Sequence, residues 1–394
     1  MAEVGPSKDH SWQAVSPALL RVAAATTLVV LMFSLLNPVL AVRLQQAGVS
    51  ASAIGVFAML PFASVALLIP LMPLVFDRIG VGRAYRIGLM LEFTATIGYG
   101  LVTDYAFWCV LAALSGAGAA AAWNGTEALI AHNAPPARRG RITGLYQMVL
   151  GGALMVGPFM PALLSLGPST ATWVACGGLA LGLAVTAVPG VDRLQASRPE
   201  RRQVGMLWAM RLHPFLVWVA LVGGVFEAGL SSITSAYGSQ LGLSLGAATS
   251  IAGVLGVGSF SLQYPIGWLA DHVRTHRLLL AAGMVLLIGS APFALALQVP
   301  AVIWMAAFVW GAVGGALYTL TMIRVAHDFA DSSAIAGTAA VIAGYTAGGA
   351  LGPLVSGMVL DRFGAPGQAG WLSLLAMSVL LGAWPSRPAA SHAG

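Results

Sequence analysis

The amino-acid sequence predicts an all-α integral membrane protein, with twelve transmembrane helices in two pseudo-symmetric six-helix bundles. Of its 394 residues 58% are hydrophobic and only 8% charged, with a mean hydropathy of +0.85. That is too little charge to clothe a soluble domain of this length. A bilayer core of about 30 Å takes roughly 20 apolar residues in a helix, and that template can be laid along the chain twelve times. The second half also matches the first at an offset of 195 residues without a gap.

Residues 1–17 are polar and form an N-terminal tail, and the first apolar run, 18–42, is too long for a signal-peptide core. It reads as an uncleaved first helix. Asn37 precedes Pro38 within it, a polar side chain beside an expected helix break, which membranes tolerate where it faces a cavity or lies buried in protein. The runs 52–76 and 87–103 follow, separated by a short loop with Asp77, Arg78 and Arg83. Glu92 sits ~8 Å from the start of the third run, close enough to snorkel to the interface or take a local partner. The fourth run, 107–132, carries Trp123, Asn124 and Glu127; the fifth, 142–166, carries Gly144, Gly157-Pro158 and Pro161; the sixth, 170–188, completes the first bundle, 18–188. The longest polar stretch, 189–213, reads as a linker. The runs 214–240, 247–270, 278–297, 301–323, 334–360 and 369–384 make the second bundle, 214–384, and 385–394 form a C-terminal tail.

The internal repeat rests on residue types that composition does not supply cheaply. The 195-residue offset superposes Thr126 on Thr321, His132 on His327 and Gly157-Pro158 on Gly352-Pro353, and an offset of 194 superposes Asp77 on Asp271 and Arg83 on Arg277. Two parallel repeats leave a cleft between them that opens to alternate sides as one half rocks on the other. With both termini placed inside, 17 of the 19 lysines and arginines fall on inward segments, leaving Arg43 and Arg362 outside. This asymmetry follows the positive-inside rule and supports an even number of spans.

The loop after the second run reads Pro73-Leu-Val-Phe-Asp77-Arg78-Ile-Gly80-Val-Gly82-Arg83, and its counterpart in the second half Gly267-Trp-Leu-Ala-Asp271-His272. Together they resemble the Gly-x-x-x-Asp-Arg-x-Gly-Arg loop of the major facilitator superfamily. The first copy has proline for its first glycine and a late arginine; the second lacks the arginine after Asp271. Gly144 and Gly157-Pro158 are similar to the spaced glycines ending in Gly-Pro in helix 5 of some members of that family, notably antiporters, and Gly348, Gly352-Pro353 and Gly357 repeat them in the other half, an arrangement suited to a hinge or a tight seal. The stretch from Glu127 to Tyr146, with Pro135-Pro136 and Arg139-Gly140-Arg141, looks like that of bacterial transporters of the YcaD-like type. The position four before Gly116 is Ala112, where proton-coupled drug antiporters carry arginine. The resemblance implies the facilitator fold, a bacterial inner-membrane location with cytoplasmic termini, and a cavity lined by helices 1, 4, 7 and 10.

Ionisable residues within spans are costly, so each is a candidate for function. Glu227 lies ~20 Å into the seventh run and is the expected proton or substrate group; a protonated glutamate bonded to a neighbouring helix is the plainer alternative. Asn37, Trp123, Asn124, Tyr318 and Thr319 are the expected pocket lining, an aromatic beside an amide or hydroxyl being suited to a small organic solute. Asp77, Arg78, Arg83, Glu127, Asp271 and Arg324 form an expected inner-side charge network, with Glu127 paired to Arg83, Arg138 or Arg324 when the cleft shuts. His132 and His327 are expected to cap helix ends, and Cys109 and Cys176 to pack within apolar runs.

These features predict a monomeric secondary transporter working by alternating access on a small-molecule substrate within the lipid bilayer, coupled to protons. Efflux of an organic metabolite or drug is the first expectation, uptake of a small anion or nutrient the second. A membrane-embedded enzyme would need a catalytic cluster, and neither paired carboxylates, a metal-ligand spacing nor a phosphate-binding loop is visible. No cofactor or metal is expected. Nor is nucleic acid, because the basic residues occupy short loops between apolar runs. A channel would conduct without saturating.

Overall fold

The computed structural model describes residues 16–135, 139–187, 190–191, 194, 205–329 and 334–384. Residues 1–15 of the N-terminal tail, the C-terminal tail, residues 189, 192–193 and 195–204 of the linker 189–213, and with them the cationic residues Lys8, Arg138, Arg193, Arg198, Arg201, Arg202 and Arg387 lie outside them.

Ten segments among the described residues are helical, long enough and apolar enough to cross a membrane. One of these, Ala336–Ala383, spans 48 residues and is broken at Gly364, whose φ of 61° and ψ of −157° are non-helical. It therefore comprises two passages in place of the expected runs and loop. Val81–Leu101 is a further helix of 21 residues, whose Arg83, Arg86 and Glu92 dilute its hydropathy. It starts earlier than the expected 87, because the two arginines belong to its first turns. The chain order is then α1 (Pro17–Gln46), α2 (Ala51–Ile79), α3 (Val81–Leu101), α4 (Tyr105–Asn133), α5 (Gly140–Leu163), α6 (Pro168–Thr186), α7 (Pro214–Gln240), α8 (Leu245–His272), α9 (Thr275–Leu295), α10 (Val302–Asp328), α11 (334–363) and α12 (365–383). A short helix, Met206–Leu212, precedes α7.

Local chemistry marks several starts. Ser50, Asp104 and Ser244 accept a backbone N–H of the first turns of α2, α4 and α8, and Pro168 and Pro214 occupy first-turn positions of α6 and α7. α1 runs through Pro38 as one helix, so the expected break beside Asn37 is absent.

The pairings repeat between the halves: α2 packs on α4 as α8 packs on α10, and α3 on α4 as α9 on α10. In lipid there is little hydrophobic force between helices, so close packing and interhelical hydrogen bonds hold each bundle. Gly311 of α10 lies against the Leu255 carbonyl of α8, where a Cβ would collide with backbone. In the first half Thr26 is bonded to both Tyr85 (2.9 Å) and Thr126 (2.7 Å), tying α1 to α3 and α4. In the second, buried Trp310 donates to Ser290 at 2.9 Å.

The halves meet through α1 on α7, α2 on α11 and α5 on α8. Along α5 and α8 the seam runs from Ala162 against Gly246, through Phe159 against Gly253 and Met155 against Gly256, to Gly151 against Phe260. Beyond that point Gly140, Gly144 and Gly267 would find nothing within 4 Å of an added Cβ. The contact of α1 with α7 likewise uses Leu230–Gln240, the last part of α7. The cleft is thus sealed at the end bearing the α1–α2, α7–α8 and α11–α12 connections and parted at the other.

Candidate functional site

Midway along α7 the winding widens to a π-helical turn, Val225–Gly229. Such turns insert a residue into the helical ladder and are frequent at functional sites. Glu227 lies in this turn. Room for it comes from the facing pair Gly314-Gly315 of α10: a Cβ on Gly314 would stand 3.1 Å from Glu227 Cβ, and one on Gly315 3.1 Å from Oε1. Ser259 of α8 donates to Oε1, and the Tyr345 hydroxyl of α11 donates to Oε2 at 3.0 Å. The Tyr345 ring packs on that of Tyr318 from α10, centroids 4.8 Å apart. Four helices of the second bundle therefore converge on a half-buried carboxyl whose partners are hydroxyls, and no ion pair to Glu227 forms among the described residues. A carboxyl so placed can exchange a proton or bind a donor group of a solute without first breaking a salt bridge.

From the first bundle, α4 contributes Glu127, which is exposed and accepts from Trp123 Nε1 at 2.8 Å one turn earlier. Gln147 of α5 stands beside it, and Tyr318 lies within electrostatic range of both Glu127 and Glu227. Asn124 and Thr319 turn to their own helices, donating to the carbonyls of Ala120 (2.7 Å) and Gly315 (3.1 Å). Asn37 stands apart from this cluster, lining a small cavity inside the first bundle with Glu92 and Ser115. Glu92 does not snorkel: only 5% of it is exposed, and its Oε2 accepts from Ser115 at 2.6 Å.

The predicted charge network is not assembled in this conformation. Asp77, Arg78, Arg83 and Asp271 are exposed and make no ion pair among the described residues. Arg324 is bonded to Asp328 one turn on, at 2.6 Å, and His327 to the same carboxylate at 3.0 Å. These residues lie toward the parted end.

At the sealed end the two Gly-Pro pairs act at equivalent places. Gly157 presses on Ser34 and Leu31 of α1 while the next residues reach α8, and Gly352 presses on Gly229 of α7 while Pro353 meets Gly55 of α2. Gly157–Phe159 forms a 3-10 turn, and Ser34 donates to the Ala153 carbonyl at 3.0 Å, satisfying an acceptor near the proline. Across the seam from α11, Asp361 accepts from the N–H groups of Ala51 (2.9 Å) and Ser52 (2.8 Å) and from the Ser52 hydroxyl (2.5 Å), capping the first turn of α2.

Sequence reasoning missed Asp361, though a signal was there. Asp361-Arg362-Phe363-Gly364 ends α11 as Asp77-Arg78-Ile79-Gly80 ends α2, and both glycines take positive φ, 61° and 84°. Ser259 and Tyr345 carried no comparable mark. Among the described residues no group of three or more His, Cys, Asp or Glu could hold a metal.

A family profile described as Major Facilitator Superfamily matches residues 22–340. The MFS-type transporter YcaD of Shigella flexneri is 27% identical over 348 residues, 85% of this chain and 87% of that protein. YcaD of Escherichia coli (strain K12 / DH10B) is 26% identical over the same share. Among solved structures, the nucleoside transporter NupG superposes with a TM-score of 0.76 at 12% identity, covering 93% of this chain and 97% of that one. A D-xylose-proton symporter gives 0.72 at 15%, covering 94% and 98%.

Proposed function

The chain belongs to the Major Facilitator Superfamily, a family of multi-pass membrane transporters rather than enzymes, and from that membership we propose that it couples proton movement to efflux of a small organic metabolite or drug by alternating access. The observation that carries the coupling is Glu227, held by Ser259 and Tyr345 in the π turn of α7 with no cation paired to it among the described residues. Even a half-buried charge without a counter-ion is costly within a span, whereas the protonated acid is not. The proton load therefore differs between conformations that desolvate Glu227 to different extents. Trp123, Tyr318 and Tyr345 offer aromatic faces beside the two carboxyls for an organic solute.

In this reading the protein sits in a bacterial inner membrane with both termini cytoplasmic, so that the parted end faces the cytoplasm, as the arginine distribution supports. Asp77, Arg78, Arg83, Glu127, Asp271 and Arg324 then come together when that end closes, and the paired Gly-Pro segments serve as hinge and seal. The Gly-Pro pattern of α5, which is similar to that of antiporters, supports efflux. A second reading, proton-coupled uptake of a nutrient, is favoured by the names of the structural neighbours, a nucleoside transporter and a D-xylose-proton symporter. Anion uptake is less favoured, because Arg324 is already taken by Asp328.

A melting-shift screen of purified protein against metabolites and drugs at two pH values would supply a ligand and expose proton linkage. Flux of that ligand into proteoliposomes under an imposed pH gradient then tests the carrier: Glu227→Gln abolishes the pH-driven component. Gradient-driven flux unchanged in that variant removes the proposal.

A further inference from the structure

The first bundle holds its own buried carboxyl, apart from the cleft. Glu92 of α3 opens on a cavity walled by α1, α2, α3, α4 and α6, whose polar lining is Asn37, Glu92, Thr96, Tyr99 and Ser115. Glu92 is 5% and Tyr99 3% exposed. Oε2 of Glu92 is bonded to Ser115, but among the described residues neither Oε1 nor the Tyr99 hydroxyl has a hydrogen-bond partner. Thr96 donates its hydroxyl to the Glu92 carbonyl at 2.9 Å, leaving its lone pairs free. The lining thus gathers five oxygen-bearing side chains, of which the Ser115 and Thr96 hydroxyl protons are already committed.

The lining contains no Lys, Arg or His. Arg43 of α1 donates to the Tyr99 carbonyl and to Thr172, both at 3.0 Å, seven residues or ~10 Å along α3 from Glu92. Arg86 donates to the Thr186 carbonyl, six residues or ~9 Å the other way. The other titratable groups nearby are Tyr99 itself and, beside it, Cys109 of α4. α2 brings only Phe57 and Pro61 to the cavity. An ionised Glu92 is thus without a counter-charge in contact, in a region where an isolated charge is prohibitive.

We propose that this cavity is a sodium site, in which one Na+ is held by the Glu92 carboxylate with the Asn37 amide oxygen and the Ser115, Thr96 and Tyr99 hydroxyls. Hard cations take oxygen ligands, and the lining supplies five such side chains from three helices. A proton alone would need one acceptor and would leave the Tyr99 and Asn37 oxygens idle. The Ser115 bond orients the carboxylate as the partners of metal ligands do. The site is independent of Glu227, which lies in the other bundle.

The test is equilibrium binding of radiolabelled Na+ to the full chain in lipid nanodiscs, with choline replacing Na+ to hold ionic strength. Wild-type protein binds it saturably, and so does Glu227→Gln. Ser115→Ala weakens binding by roughly 10-fold or more, as loss of an orienting partner does elsewhere, and Glu92→Gln abolishes it. Tyr99→Phe, a milder change, weakens binding while leaving the melting midpoint in choline unchanged, so a folding failure in Glu92→Gln cannot imitate the result. No saturable Na+ binding, binding unaffected by Glu92→Gln, or a melting midpoint that follows pH but not Na+ would each overturn the proposal, the last assigning a proton instead.

Discussion

Replacing Asp361 by asparagine should unlatch the sealed end. The carboxylate accepts three hydrogen bonds from the first turn of α2, two from backbone N–H groups and one from Ser52. It reaches across the interface between halves to do so, so the bonds exist only while that end is shut. A bond to an ionised group contributes about 1.5–3 kcal/mol when shielded, and an anion at a helix N-terminus about 0.3–1 kcal/mol. Asp361 is exposed, so the lower values apply. Asparagine keeps one acceptor oxygen but loses the charge and turns an amide N–H₂ toward two donors. The net loss is about 2 kcal/mol of bias toward the sealed state, or roughly 30-fold in the ratio of sealed to open molecules. A cysteine at Ala236, 3% exposed at the sealed end of α7, reports that ratio in a background lacking Cys109 and Cys176. When opening is fast relative to labelling, the rate of reaction with a bulky thiol reagent follows the open population. Labelling should accelerate about 10- to 30-fold in Asp361→Asn relative to the same cysteine variant with Asp361 intact. An unchanged rate would show that the cap decorates the seam without holding it.

Two further outcomes follow from the same geometry. Gly311→Ala places a methyl against the Leu255 carbonyl and should lower the melting midpoint by the equivalent of about 1–3 kcal/mol, whereas Gly144→Ala, with nothing within 4 Å, should be neutral or raise it by up to about 1 kcal/mol. Equal effects on thermal melting would mean that α8 and α10 do not approach as described. Ser259→Ala and Tyr345→Phe should each slow pH-driven flux, and because both bond the same carboxyl the double variant should depart from additivity by about 0.5–3 kcal/mol in a double-mutant cycle. Strict additivity would separate the two hydroxyls functionally.

The helices were legible because the bilayer imposes a length and a hydropathy that a sequence must write out in full. Where chemistry blurred that pattern, the expected limits slipped: α3 begins at Val81 because Arg83 and Arg86 sit inside the helix, and the expected loop between α11 and α12 is a break at one residue, Gly364. Glu227 stood out because an acid far from any basic loop has few reasons to be there. Its partners did not, since Ser259 and Tyr345 are ordinary residues made important only by the fold bringing α8 and α11 onto α7. Of the two expectations for Glu92, snorkelling fails and a partner is present: Gly118 of α4 packs directly on it and Ser115 bonds its carboxylate, neither of which distance from a helix end reveals. Asp361 acts across 310 residues of sequence, a separation that no local pattern reveals, although the likeness of its surroundings to the end of α2 is written in the sequence.

Alternating access requires the two ends of the cleft to open by turns. Spin labels at Gln46 and Gln298, on the first and second halves at the sealed end, and at Leu145 and Trp268, on α5 and α8 toward the parted end, allow both distances to be measured by pulsed electron resonance. All four side chains are exposed. The predicted result is two populations in each pair with reciprocal weights: conditions that lengthen the Gln46–Gln298 distance, Asp361→Asn among them, shorten Leu145–Trp268. Both distances lengthening together, as in a channel, or neither responding to Asp361→Asn, would contradict it.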